Sequence, residues 1–268
     1  MSFDCLFARR STLRRRPAAL LGLLVGAATA SACGEEPQGP VFQPDPNGVD
    51  VLFVGNSLTY FNDLPAMLAA MLVAADVPVA RIDATAFPDF GLQDHWEQGD
   101  ALALIAAGEW DVVVLQQGPS ATEGRPSLLD YSARFAEEIR AVGAVPALYM
   151  VWPAEARSFD FDGVSESYAM AAETVDGLLL PAGEAWRAAW RRDPSAELYG
   201  PDGFHPSPAG SYAAAAVMFE QLAGRTAVGL PATLDLGSGT SVVLDQALAT
   251  LLQEAAGEAN SEFARAPK

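Results

Sequence analysis

Two cysteines and two histidines are all that 268 residues provide, and each shortage removes a class of chemistry. Cys5 and Cys33 both lie in the first 33 residues, so the rest of the chain carries no disulfide framework, no cysteine nucleophile and no thiolate metal site. His95 and His205 fall in no His/Cys cluster with ligand spacing. No glycine-rich phosphate loop is present either, and neither a metal nor a cofactor is expected. Positive charge is also scarce: 16 Lys and Arg stand against 34 Asp and Glu, for a formal charge of −18. Five of those basic residues and one acidic residue (Asp4) precede Cys33, which leaves the remainder at −22. A surface that acidic argues against nucleic acid and anionic lipid head groups as partners.

The positive charge that exists is concentrated at the start. Arg9, Arg10, Arg14, Arg15 and Arg16 precede an apolar run, Ala18 to Ala30, that ends in small residues. This pattern reads as an export signal over residues 1–33, too short for a comfortable membrane span. Ala30-Ser31-Ala32-Cys33 resembles a lipobox, which would make Cys33 a lipid attachment site; simple cleavage after Ala-x-Ala is the other reading. Residues 34–48, rich in Pro, Gly, Glu and Asp, read as a flexible tether. Residues 49–268 then form one domain. The expected location is outside the cytoplasm, with a membrane contact only through the anchor.

Strand and helix signals alternate five times in that domain. Val51 to Val54, Val77 to Phe87, Trp110 to Leu115, Val145 to Trp152 and Gly177 to Pro181 read as strands, and helical spacing follows each. One helix is expected to carry Leu92, Trp96, Leu102 and Ile105, and another to start at a Ser127 cap. A loop is expected over Leu230 to Gly239 and a last helix over Val242 to Phe263. Alternation of this kind specifies a parallel sheet with helices on both faces. The loops after its strands share one edge, where such sheets place ligands and nucleophiles. Ser57, in Gly55-Asn56-Ser57-Leu58-Thr59, follows the first strand, and Gly55 and Asn56 are residue types that accept a positive φ for a sharp turn.

With two histidines the search for a base is short. Asp202-Gly203-Phe204-His205 spaces a carboxylate three residues before an imidazole, close enough to hold its Nδ1 proton. Pro206 favours extended backbone at His205, and Ser207-Pro208 is a cap and first-turn pair that starts a helix. The alternative is a surface loop with a helix cap. His95, beside Trp96 in a helix, reads as a packed or half-exposed histidine.

Gly55-Asn56-Ser57-Leu58-Thr59 and Asp202-Gly203-Phe204-His205-Pro206 together resemble the first and last blocks of the SGNH (GDSL-like) hydrolases, over roughly Val51 to Gly224. The resemblance implies a three-layer α/β/α, flavodoxin-like domain with a five-stranded parallel sheet, and serine esterase chemistry. Ser57 would be the nucleophile, His205 the general base and acid, and Asp202 the orienting carboxylate. The family's oxyanion hole combines the nucleophile N–H, a second-block glycine N–H, matched by Gly91, and a third-block asparagine amide. The usual Gly-x-Asn-Asp of that third block is absent here. Gln116-Gln117-Gly118-Pro119-Ser120 stands in its place, and a glutamine amide can donate as an asparagine does. Gln116, and after it Gln117, is the expected donor. The glutamines, with Tyr60, Phe61 and Trp152 as aromatics able to stack on sugar, point to an acetylated carbohydrate or a small acyl ester as substrate. The alternative is a non-catalytic surface lipoprotein that keeps the fold for binding.

Overall fold

The computed structural model describes residues 44–237 and 239–263. The signal segment, Cys33 and the tether up to residue 43 lie outside the described residues. The last part of the expected tether belongs to the domain: Asp45 N–H donates to Val79 O at 2.9 Å, and Gly48 N–H to Asp45 O at 2.8 Å.

Five strands form one parallel sheet: β1 (Val49–Gly55), β2 (Val79–Ala86), β3 (Val112–Leu115), β4 (Val145–Tyr149) and β5 (Leu178–Leu180). Their order is β2-β1-β3-β4-β5, so the fold class expected from the alternation is the one observed. β1 and β3 are buried along their whole length, as continuous apolar runs covered on both faces must be. Between them the chain reverses its direction of travel across the sheet. It first runs outward to β2, then returns past β1 to β3. The loops leaving β1 and β3 therefore flank a switch point, where open α/β sheets form a crevice.

The helices are α1 (Ser57–Tyr60), α2 (Leu64–Ala74), α3 (Leu92–Gln98), α4 (Asp100–Ala107), α5 (Arg125–Ala141), α6 (Phe161–Thr174), α7 (Ala182–Arg192), α8 (Pro208–Ala223) and α9 (Gln246–Phe263). Right-handed crossovers send the leftward connection, α2, to one face and the rightward ones to the other. Accordingly α2 packs with α8, which packs in turn with α7 and α9, and α3 to α6 pack with one another. α8 is almost wholly buried among its neighbours. Its run Ala213–Ala216 keeps the helix thin enough for that approach. A side chain at Gly210 would overlap Leu198 O and the Trp186 ring.

Several local expectations change. The single helix over residues 92–105 is two, broken where Gly99 adopts φ 88°, a left-handed conformation suited to glycine. Ser127 lies inside α5, which starts at Arg125 with Pro126 in its first turn. The stretch taken as loop contains a hairpin, β6 (Thr233–Gly237) with β7 (Thr240–Val243), and the last helix starts only at Gln246. Leu234 and Leu236 are buried while Thr233 and Asp235 are exposed, a period-two pattern. Ser57–Ala74 is long and apolar enough by composition to cross a membrane, but most of it is buried in the core.

Candidate active site

The turn after β1 is built by crowding rather than by positive φ. Gly55 is not left-handed; a Cβ there would overlap Thr59 Oγ1 and Gln116 Oε1. Asn56 is extended (φ −128°) and caps α1, its Oδ1 accepting from Leu58 N–H at 3.1 Å. Its Nδ2 donates to Phe90 O at 2.9 Å. Ser57 opens α1 at 8% exposure. The left-handed residues come later, at Asn62 and Asp63, both φ 54°, and they swing the chain from α1 into α2.

Gln116 continues the β3 ladder, its N–H donating to Val54 O at 2.9 Å, and this places its side chain beneath the Ser57 turn. Oε1 accepts from Asn56 N–H and Thr59 Oγ1, both at 2.8 Å. Nε2 donates to Asn56 Oδ1 at 3.0 Å and Gln117 O at 2.6 Å. Both amide hydrogens and both lone pairs are thus engaged. Gln117 is committed as well: Nε2 donates to Ser120 Oγ (2.8 Å) and Gly124 O (3.2 Å), and Oε1 accepts from Leu92 N–H (3.2 Å). The two glutamines expected to face an oxyanion instead tie the third loop to the first and to α3.

Gly91 stands at the start of α3, and its N–H donates to Asp94 Oδ2 at 2.7 Å. The glycine donor is therefore present but occupied by a carboxylate of its own helix. Ser57 N–H, by contrast, has no hydrogen-bond partner among the described residues.

His205 is held as its neighbours dictate. Nδ1 lies 2.5 Å from Asp202 Oδ2. Asp202 Oδ1 accepts from the His205 and Phe204 N–H groups at 2.9 and 3.0 Å, and Gly203 supplies the positive φ (65°) the turn needs. The His205 contact, followed by the Phe204 N–H, lowers the Asp202 carboxyl to about 2. Ser207 caps α8 through Gly210 N–H at 3.1 Å, as its pairing with Pro208 implied.

The sequence held no sign of what joins this hook to the nucleophile turn. Asn62 Nδ2 donates to Pro206 O and to Ser211 Oγ, both at 2.9 Å. The Phe61 ring stacks on the His205 imidazole, centroids 4.1 Å apart and planes 16° apart. Ser57 Oγ makes no hydrogen bond with His205 among the described residues. His95 is fully buried, as the packed reading held, and its Nε2 lies 2.7 Å from Gly55 O. Burial lowers its pKa against the smaller opposing effects of Gly55 O and Asp94. Trp152 is fully buried against Trp186 (3.6 Å) and cannot stack on a sugar, whereas Tyr60 and Phe61 are exposed. Among the described residues no group of three His, Cys, Asp or Glu is placed to hold a metal ion.

No family model and no curated protein matches the chain, but solved structures do. One, from Slackia heliotrinireducens and described as an SGNH hydrolase, is 30% identical over 65% of this chain and 98% of its own, with a TM-score of 0.56. The chain belongs to the SGNH hydrolases. A DUF4886-family protein from Bacteroides uniformis is similar over 80% of this chain and 95% of its own, at 18% identity and a TM-score of 0.61. An acetyl-xylooligosaccharide esterase variant from a Geobacillus is 17% identical over 69% of this chain and 99% of its own, with a TM-score of 0.52. These last two share the fold.

Proposed function

We propose that this SGNH hydrolase is a serine esterase working through an acyl-enzyme. His205 Nε2 takes the Ser57 proton and Ser57 Oγ attacks the ester carbonyl. His205 then returns the proton to the leaving alcohol, and a water activated by the same imidazole releases the acyl group. Asp202 holds the Nδ1 proton and stabilises the imidazolium. The oxyanion takes the Ser57 N–H and the Gly91 N–H, the latter once Asp94 has yielded it. Gln116 and Gln117 serve as the clasp that holds these donors in place.

The observation that carries this reading is the Asp202–His205 pair at 2.5 Å on a loop fastened to the Ser57 turn by Phe61 and Asn62. Small acyl esters, acetylated carbohydrates among them, are the proposed substrates, and the exposed Tyr60 and Phe61 could line their approach. We further propose export, with Cys33 as the lipid anchor. Hydrolysis of 4-nitrophenyl acetate that is lost in Ser57→Ala and in His205→Ala supports the esterase reading; equal rates in all three proteins sink it. A binding protein that keeps the fold is the second reading. It is favoured by the commitment of Gly91 N–H and both glutamine amides to internal partners, and the same assay separates the two.

A further inference from the structure

A cleft of about 960 Å³ opens beside the Asp202–His205 hook. Its lining includes His205 and Asp202 but not Ser57, so it lies on the base's side of the site. In an esterase reaction the imidazole must deliver its proton to the leaving oxygen. The alcohol half of the ester therefore lies towards His205, and this cleft is where a bulky alcohol would extend.

Its chemistry is one-sided. Phe61, Phe161, Trp190 and Tyr199 give it aromatic surface, and Glu155 and Glu197 line it together with Asp202. Neither Lys nor Arg is among the lining residues. Asp202 is satisfied by His205, but neither the Glu155 nor the Glu197 carboxylate accepts a hydrogen bond or pairs with a cation among the described residues. The Glu155 carboxylate stands over Gly203, 3.1 Å from where a Cβ would be. Glu155 and Tyr199 line the same cleft, and after burial the Glu155 charge is the second cause that raises the Tyr199 phenol pKa. Unpaired carboxylates beside one exposed ring, Phe61, and two half-buried ones, Trp190 and Tyr199, suit an ammonium group, and they repel an anion.

Resting on the esterase reading above, we propose that this cleft receives the alcohol half of the substrate and selects an alcohol that carries a positively charged amine. Amino alcohols and amino sugars share that chemistry. The charge-matched pair acetylcholine and 3,3-dimethylbutyl acetate tests the first source. The pair 6-O-acetylglucosamine and 6-O-acetylglucose tests the second.

The mature protein should hydrolyse the cationic member of at least one pair with kcat/KM about tenfold above its neutral partner. The ratio should shrink with added salt and fall towards one in the double variant Glu155→Gln, Glu197→Gln. Equal or lower rates for the cationic member of both pairs, with 4-nitrophenyl acetate still cleaved, overturn the cleft proposal and leave the esterase reading standing. If no ester is cleaved, the esterase reading fails, and binding decides the cleft by itself. Tetramethylammonium should then change the tryptophan fluorescence saturably in wild type and several-fold more weakly in the double variant. No saturable change, or an equal one in both proteins, overturns the proposal.

Discussion

The Phe61 ring lies 4.1 Å from the His205 imidazole and within 16° of parallel to it, although 144 residues separate them. Phe61 is four residues past the proposed nucleophile, so one short segment carries both the attacking serine and the surface against which its base rests. Offset aromatic stacking contributes about 0.5–1.5 kcal/mol beyond area burial. Phe61→Leu should therefore lower kcat/KM by roughly three- to tenfold, mainly through kcat, and Phe61→Tyr should restore it. A loss seen only in KM would mean that Phe61 serves substrate binding alone and does not place the base.

Asn62 acts on the same loop by hydrogen bonds. Asn62→Ala leaves Pro206 O and Ser211 Oγ without their donor and also forces alanine to adopt φ 54°. Each lost bond costs about 0.5–1.5 kcal/mol and the left-handed backbone about 1–2 kcal/mol. Urea unfolding should show a loss of about 2–5 kcal/mol in total. Asn62→Gly removes the backbone strain but not the lost bonds, so it should recover part of the stability while turnover stays low.

Gln116 separates two roles cleanly. A side chain that only donated to an oxyanion would cost turnover when removed, about 10²–10³ in rate, and little stability. In its observed place Gln116→Ala strands Asn56 N–H and the Thr59 hydroxyl, at about 1–3 kcal/mol for each buried group left unpaired, while Asn56 Oδ1 keeps the Leu58 N–H. A loss of roughly 2 kcal/mol or more in chemical denaturation is expected, together with loss of activity. Wild-type stability with reduced turnover would restore the oxyanion role.

Asp94 makes the opposite prediction. Asp94→Ala frees the Gly91 N–H at a cost of about 0.5–2 kcal/mol of helix capping. Turnover of a small acyl ester should rise several-fold even as the thermal midpoint drops. A fall in kcat would show that Asp94 supports the donor rather than competing for it.

The buried His95 gives the protein an acid-sensitive point. Its folded pKa lies below the ordinary 6.5. Above that pH both folded and unfolded chains carry it neutral. As pH falls through 6.5 the unfolded chain binds a proton that the folded one refuses, so stability declines from there downward. Asp202 behaves differently: lowered to about 2, it adds stability above the ordinary value of 3.8 and loses it only between 3.8 and about 2. Being exposed, it adds little. Unfolding free energy measured at pH 7.5 and pH 5 should drop in wild type, and the drop should shrink in His95→Gln. Parallel drops in both proteins would assign the effect to other groups.

The sheet and the two end motifs were legible because each rests on local pattern. Val112-Val113-Val114-Leu115 could be little but a covered strand, and Asp202, three residues before His205, reaches the ring within one turn of chain. What was not legible depends on where side chains turn after the backbone is set. Nothing local distinguishes a Gln116 amide aimed at an oxyanion from one aimed into the Asn56 turn; the β1–β3 register decides it. Gly91 was recognisable as a turn glycine, but the competition from Asp94 three residues on depends on the cap geometry. Asn62 carried no signal and Phe61 was read only as an aromatic able to stack on sugar, since their partners in the fold lie more than 140 residues away. The hairpin at 233–243 was readable from its buried Leu234 and Leu236, yet Gly237 and Gly239 made the stretch look like loop.

The central claim is that Ser57 is a nucleophile driven by the Asp202–His205 pair. Incubation of the mature protein with a fluorophosphonate, followed by mass spectrometry of its peptides, tests it most directly. A single phosphonyl adduct on the peptide containing Ser57 is expected, absent in Ser57→Ala and formed at least a hundredfold more slowly in His205→Ala. An adduct elsewhere, or none in the wild-type protein, contradicts the account.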